Sequence, residues 1–221
     1  MIITIRSGRN YVDVSVELDA VAQVAEQALG DATLANRVHS VLNEAMLNVS
    51  MHAYDPQFYT ADEGVRDRWW VAGLGNAENN EVILFAYDLG VGIAKTAPVK
   101  LGADLQGFLD EIMMKIGLKG PDARDHHIIE AAIKSRKSRT GKAQHGKGLT
   151  SMIQLIDRAP SGTIWISSGG GQYLYAKSDR AGQEPMELAT PLEYSVPGTL
   201  IVWQLRGAAA TKGPLGDANA A

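Results

Sequence analysis

Two short alternating runs open the chain, Ile2-Ile-Thr-Ile5 and Tyr11-Val-Asp-Val-Ser-Val16. The turn residues Ser7-Gly-Arg-Asn10 between them predict a hairpin. The period then lengthens. Val21, Val24, Ala25, Ala28 and Leu29 recur at helical spacing, with Asp19 in the N-cap position and Gly30 as the stop. A second helix is predicted from about Thr33 to Ala53, with Leu34, Val38, Val41, Leu42, Ala45 and Val49 as its apolar stripe and Pro56 just past its end.

Residues 55 to 67 show no clear period and read as a loop. Arg68-Trp-Trp-Val-Ala72 and Glu81-Val-Ile-Leu-Phe-Ala-Tyr87 flank the turn-rich Gly75-Asn-Ala-Glu-Asn-Asn80 and predict an antiparallel pair. Residues 94 to 145 form a long, mostly helical excursion. Within it Leu105, Phe108, Leu109, Ile112, Met113 and Ile116 fit one helix closed by Gly117, and a shorter one spans roughly His126 to Lys137. Leu149, Met152, Ile153 and Ile156 fit another, ended by Pro160. Three strand-like runs close the pattern, at 163 to 168, 172 to 177 and 199 to 205, with Gly169-Gly-Gly171 as a hairpin turn between the first two. Trp69, Trp70, Trp165 and Trp203 lie in strands and read as sheet or interface packing. This order predicts an α+β fold, a two-layer sandwich of a mixed, mostly antiparallel sheet with helices on one face, in a single domain over 1–206. The Ala/Gly-rich stretch 207–221 reads as a disordered tail.

Composition narrows the chemistry. With 21 basic and 25 acidic residues the net charge is -4 and the pI about 5.7, so the chain as a whole offers no general attraction for nucleic acid or anionic lipid. Any phosphate binding has to be local. There is no cysteine, which removes disulfides, thiolate metal sites and cysteine nucleophiles together. No apolar stretch is long enough to span a bilayer, and Met1-Ile-Ile-Thr-Ile-Arg6 lacks a leader's pattern; the expectation is a soluble cytoplasmic protein.

Three motifs carry candidate chemistry. On the second predicted helix, Glu44, Asn48 and His52 are spaced i, i+4, i+8 and form one row that drifts about 40° per step. Measured from Glu44, the apolar stripe occupies roughly 60° to 160°, so Glu44 and Asn48 lie on the shoulder of the buried side, where a groove can use a carboxylate and an amide. Taken alone, this spacing is common on any helix. The second motif, Asp88-Leu-Gly-Val-Gly92-Ile93, follows an apolar strand. It puts a carboxylate able to accept from an exocyclic amine beside glycines that let backbone approach a flat ligand. The third, Gly146-Lys-Gly-Leu-Thr150, opens a helix whose free amides suit a phosphate. Upstream, Lys134, Arg136, Lys137, Arg139 and Lys142 join Lys147, with no acid between Glu130 and Asp157.

Gly141-Lys-Ala-Gln-His-Gly146-Lys147 matches seven positions of a P-loop, but Gly148 stands where a Ser or Thr hydroxyl should bind magnesium, and a basic helical stretch precedes it instead of a strand. A P-loop or other α/β nucleotide binder is therefore disfavoured. His126 and His127 have no acid or cysteine at metal-ligand spacing and read as surface residues. His52 reads as packing near the groove or exposed, without a catalytic role.

E-x-x-x-N on a helix, D-x-G-x-G after a strand and G-x-G-L before a helix, in that order, resemble the GHKL or Bergerat-fold ATPases. That family includes gyrase-type topoisomerases, heat-shock chaperones, histidine kinases, mismatch-repair ATPases and anti-sigma serine kinases. The resemblance covers about residues 12 to 205 and includes Gly198-Thr199 opening the last core strand. It implies that ATP or ADP with Mg2+ is the cofactor and that Asn48 coordinates the magnesium. Glu44 would act as the general base that polarises the attacking water or acceptor hydroxyl. Asp88 would recognise the adenine, with Thr199 beside it acting through water, while Gly90, Gly92 and Ile93 pass the base and ribose. Gly146, Lys147, Gly148, Leu149 and Thr150 would hold the phosphates, and 94–145 would be the ATP lid.

Histidine kinases carry an upstream phosphoacceptor histidine, which has no counterpart among the five histidines here, and the topoisomerase, chaperone and mismatch-repair members carry large further domains. The expectation is therefore a stand-alone ATP-binding domain most similar to the anti-sigma-factor-type serine kinases, with a longer lid and an extra loop at 55 to 67. Two functions stay open. One is an enzyme that hydrolyses ATP or phosphorylates a protein serine or threonine; the other is a non-catalytic module whose nucleotide-driven lid closure controls a protein partner. Relatives also make a homodimer possible, while neither nucleic acid nor membrane is expected as a partner.

Overall fold

The computed structural model describes residues 1–9, 14–60, 65–117, 124–137 and 148–208. Its strands are β1 (Ile2–Arg9), β2 (Arg68–Asn76), β3 (Glu81–Asp88), β4 (Ser161–Lys177) and β5 (Met186–Arg206), and its helices are α1 (Val14–Leu29), α2 (Ala32–Asn48), α3 (Ile93–Leu101), α4 (Ala103–Lys115), α5 (Asp125–Lys137) and α6 (Gly148–Arg158). The five strands make one sheet in the order β1-β2-β3-β5-β4, and every pairing is antiparallel, where a mixed, mostly antiparallel sheet was expected. The helices pack on one face, which gives the two-layer α+β sandwich predicted from the element order.

Alternation decides what each strand buries. In β3, Val82, Leu84, Ala86 and Asp88 point inward, and from β5 Ile201, Trp203 and Leu205 do the same. Against them lie Val21, Val24 and Ala28 of α1, Val38, Leu42, Ala45 and Met46 of α2, and Met152, Ile153 and Ile156 of α6. Trp203 is fully buried, and its indole N–H donates to the Met152 carbonyl at 3.2 Å, which ties β5 to α6 through a polar atom that the core would otherwise strand. Leu105, Leu109, Ile112, Ile129 and Ile133 bring α4 and α5 into the same core. α2 begins at Asp31, whose side chain accepts from the Leu34 amide at 3.0 Å, and ends in a π-helical turn over Val49–Ala53.

Several expectations are corrected. The hairpin expected of Ile2–Ile5 and Tyr11–Val16 is not formed by the described part of it: Val14 belongs to the helical period of Leu18, Val21 and Ala25 and starts α1, while Tyr11 to Asp13 lie outside the described residues; β1 pairs with β2, Ile3 opposite Leu74. Asp19 consequently lies inside α1 rather than at its cap. Gly169-Gly-Gly171 is no hairpin turn: β4 runs straight through it with register shifts against β5 at Ser168/Gly169 and Gly169/Gly171, and the strand reverses only after Lys177. α3 falls at the start of the stretch read as mostly helical, where the pattern singles out no separate helix, and it carries Pro98 inside it. His126 and His127 are buried, not surface residues, with their rings 3.9 Å apart in the first turn of α5.

Candidate functional site

At the end of β3 the inward alternation delivers a carboxylate instead of an apolar side chain. Asp88 is only 6% exposed. Its Oδ1 accepts from the Gly90 amide at 2.8 Å, and the Thr199 amide of the neighbouring β5 also donates to it. Burial pushes its pKa up to about 7, and the two amides pull against that rise without cancelling it. The turn that follows is held close to the end of α2. The Val91 amide donates to the Ala53 carbonyl at 2.8 Å, and a Cβ on Gly90 would overlap that same carbonyl, so only glycine fits there.

Asp88, Gly92, Ile93 and Thr199 line one cavity together with Asn48, Val49 and His52 of the α2 end, Thr96 and Lys100 of α3, and Leu149 of α6. Glu44 and Asn48 are half-buried, and both face the start of α6. A Cβ built on Gly148 would lie 2.9 Å from Asn48 Nδ2 and 3.3 Å from Glu44 Oε2. The first and third motifs are therefore in contact, with the first turn of α6 set against a carboxylate and a carboxamide. Thr150, in that turn, has a buried hydroxyl with no partner among the described residues. Gly146 and Lys147 lie outside the described residues, as do Arg139 and Lys142. His52 lines the cavity.

Two residues that sequence reasoning passed over help shape this site. Tyr54, just beyond the π-helical turn, accepts from the Leu89 amide at 3.1 Å while its own hydroxyl donates to the Arg68 carbonyl. Its phenol thereby joins the β2 start to the Asp88 turn, and nothing in the local pattern signals this. Ser168 is fully buried behind Asp88 and Thr199: it accepts from the Ile93 amide at 2.8 Å and donates to the Gly198 carbonyl at 2.9 Å. Here a signal did exist, because Ile164, Ile166 and Ser168 share one inward phase, and a hydroxyl at the next buried position needs partners.

Among the described residues there is no cluster of three or more His, Asp or Glu able to hold a metal by themselves, and no helix is long and apolar enough to cross a membrane. A metal here would need further oxygen ligands from a bound molecule. Chemically, the arrangement is a groove with hydrogen-bond acceptors at the Asp88 end and helix-terminal amides beside a carboxylate and an amide at the other.

No protein-family model matches the chain, and no curated protein does either. Among solved structures it is similar to the B subunit of DNA gyrase from Myxococcus xanthus, at 13% identity and a TM-score of 0.35, with 86% of this chain and 43% of that one covered. The chain thus spans less than half the length of that subunit.

Proposed function

We propose that this groove binds an adenine nucleotide with magnesium, and that the protein is a cytoplasmic ATP-dependent enzyme that hydrolyses ATP or passes its terminal phosphate to a protein serine or threonine. The observation that carries the reading is convergence. Three stretches far apart in sequence, around Asn48, Asp88 and Gly148, meet at one cavity through contacts that a side chain at Gly148 would crowd. The Thr150 hydroxyl, which has no partner among the described residues, lies in the first turn of α6 and supports reading this helix end as a place for a ligand oxygen.

In this reading Asp88 accepts from the exocyclic amine of the base, the amides at the α6 start receive the phosphates, and Thr150 donates to one of their oxygens. The donor set fits magnesium: Asn48 supplies a hard amide oxygen that would hold the ion, with the phosphates completing its shell. Magnesium, when bound, neutralises phosphate charge. Glu44, beside Asn48, takes the proton of the attacking water or hydroxyl onto a carboxylate oxygen. The resemblance to anti-sigma-factor serine kinases supports a protein as the phosphate acceptor and a second copy of the chain as a possible companion; residues 94–145 serve as the lid.

Titration with magnesium and a non-hydrolysable ATP analogue tests this. The wild-type protein binds; Asp88→Ala and Asn48→Ala lose binding; Glu44→Ala keeps it and loses turnover. Asp88→Ala binding as tightly as wild type would remove the site assignment. A Glu44→Ala protein with unchanged rates would remove the enzyme and leave a nucleotide-binding module.

A further inference from the structure

Ser168 is not among the residues lining the cavity, yet its hydroxyl joins three segments: β4, the start of α3 and the Gly198-Thr199 stretch of β5. It has one proton and two lone pairs. The Ile93 amide can only donate, and occupies one lone pair at 2.8 Å; the Gly198 carbonyl can only accept, and takes the proton at 2.9 Å. The remaining neighbour is the Thr199 hydroxyl, at 3.3 Å. With the Ser168 proton committed to the shorter contact, Thr199 has to be the donor in this pair. Its proton points into the protein, and its lone pairs are left for the cavity that it lines.

We infer that Ser168 is a positioning residue that fixes the polarity of the Thr199 hydroxyl, and through it makes this end of the site select a 6-amino purine over a 6-oxo purine. The inference rests on the nucleotide reading above and deepens it. Asp88 Oδ1 already accepts from Gly90, and in its ionised form, the one that binds an amine, the carboxylate has no proton to give. With Thr199 also presented as an acceptor, Asp88 and Thr199 both ask the ligand for N–H donors. An exocyclic amine supplies them. A carbonyl oxygen in the same place meets lone pairs on both sides and finds no partner, and unpaired buried polar groups are what give a hydrogen-bonding site its strongest discrimination.

Ser168→Ala removes the acceptor for the Thr199 proton, so that hydroxyl turns and donates into the cavity. The measurement, at pH 8, is the ratio of dissociation constants for magnesium complexes of ATP and inosine triphosphate, which differ in the 6-substituent and in N1, an acceptor in adenine and an N–H donor in hypoxanthine. The wild type favours ATP, and Ser168→Ala reduces that preference about tenfold, largely by improving inosine triphosphate binding, where a purely structural role would weaken both ligands alike. Thr199→Val reduces the preference as well, and adding Ser168→Ala to it changes the ratio no further. An unchanged ratio in either single variant overturns the assignment. A separate readout needs no ligand: in nucleotide-free protein the Ile93 amide exchanges at least tenfold faster in Ser168→Ala while the amides between β3 and β5 keep their protection. Unaltered Ile93 exchange likewise overturns the assignment, whereas absence of nucleotide binding in the wild type, with Ile93 exchange altered as described, refutes the nucleotide reading and leaves the hydroxyl network standing.

Discussion

Asp88 makes the fold pay for a charge, and Asp88→Asn measures how much. The carboxyl rises from an ordinary 3.8 to about 7 because burial disfavours its ionised form. Between those two values the folded protein retains a proton that the unfolded chain has already released. Stability from this group is therefore full below pH 4 and is lost as pH climbs toward 7. At 1.36 kcal/mol per pH unit, a shift of about three units sets a ceiling of roughly 4 kcal/mol. Asparagine is neutral at every pH and still offers an oxygen to the Gly90 and Thr199 amides, so it imitates the protonated acid. Other groups slope the opposite way: the Gln57 amide holds Asp55 below the usual carboxylate range, the Gln204 side chain does so for Glu81 and Lys115 for Glu111. Taking the difference between wild type and variant removes them. Urea unfolding at pH 4 to 8 should show the two proteins nearly equal at the acid end and Asp88→Asn more stable by about 4 kcal/mol at pH 8. Curves that stay parallel within about 1 kcal/mol across that range would refute the buried, proton-retaining carboxyl.

The same titration should appear in ligand binding. An ionised Asp88 accepts from an amine and a protonated one does not, so affinity for the magnesium–ATP analogue should tighten about tenfold from pH 6 to pH 8 in calorimetry, and Asp88→Asn should flatten that dependence. Gly198 has φ 74°, and a Cβ there would overlap the Asp88 carbonyl, so Gly198→Ala should cost about 3 kcal/mol or more in chemical denaturation, with a matching fall in Tm. Trp203→Phe should lose about 2 kcal/mol in urea unfolding, because it deletes the bond to Met152 and leaves space in the core.

Much of the architecture was legible because burial imposes periods. The apolar stripe of α2 ran as expected, and its shoulder left Glu44 and Asn48 half-buried. Strict alternation in β3 puts Asp88 in the inward phase of Val82, Leu84 and Ala86, which the carboxylate at the strand end did not signal on its own. Where two periods fit the same letters the pattern was ambiguous: Val12, Val14 and Val16 alternate, but Val14 also completes a helical stripe, and tertiary packing chose the helix. Three consecutive glycines signalled a turn, yet they serve a close approach instead. A Cβ on Gly171 would overlap the backbone of His126, and the Gly170 amide donates to Asp125 Oδ2 at 2.7 Å, so the start of α5 lies directly on the strand. Long-range crowding of that kind leaves no local trace in a sequence. The same contact explains why His126 and His127 are buried on a helix that reads as polar at that end.

The anchoring of α3 bears on where motion can begin. Its first amide is held by Ser168, the Thr96 hydroxyl bonds back to the Gly92 carbonyl at 3.2 Å, and Lys100 reaches Asp55 at 3.3 Å. This helix travels with the sheet, while Gly102 just after it has φ 52° and open space around it. Gly102 thus marks the junction between α3, tied to the sheet by these bonds, and α4; under the proposed reading the end of the groove beside Asp88 is set before a ligand arrives. Under that reading, a ligand entering there would give up less of its binding energy to ordering the protein.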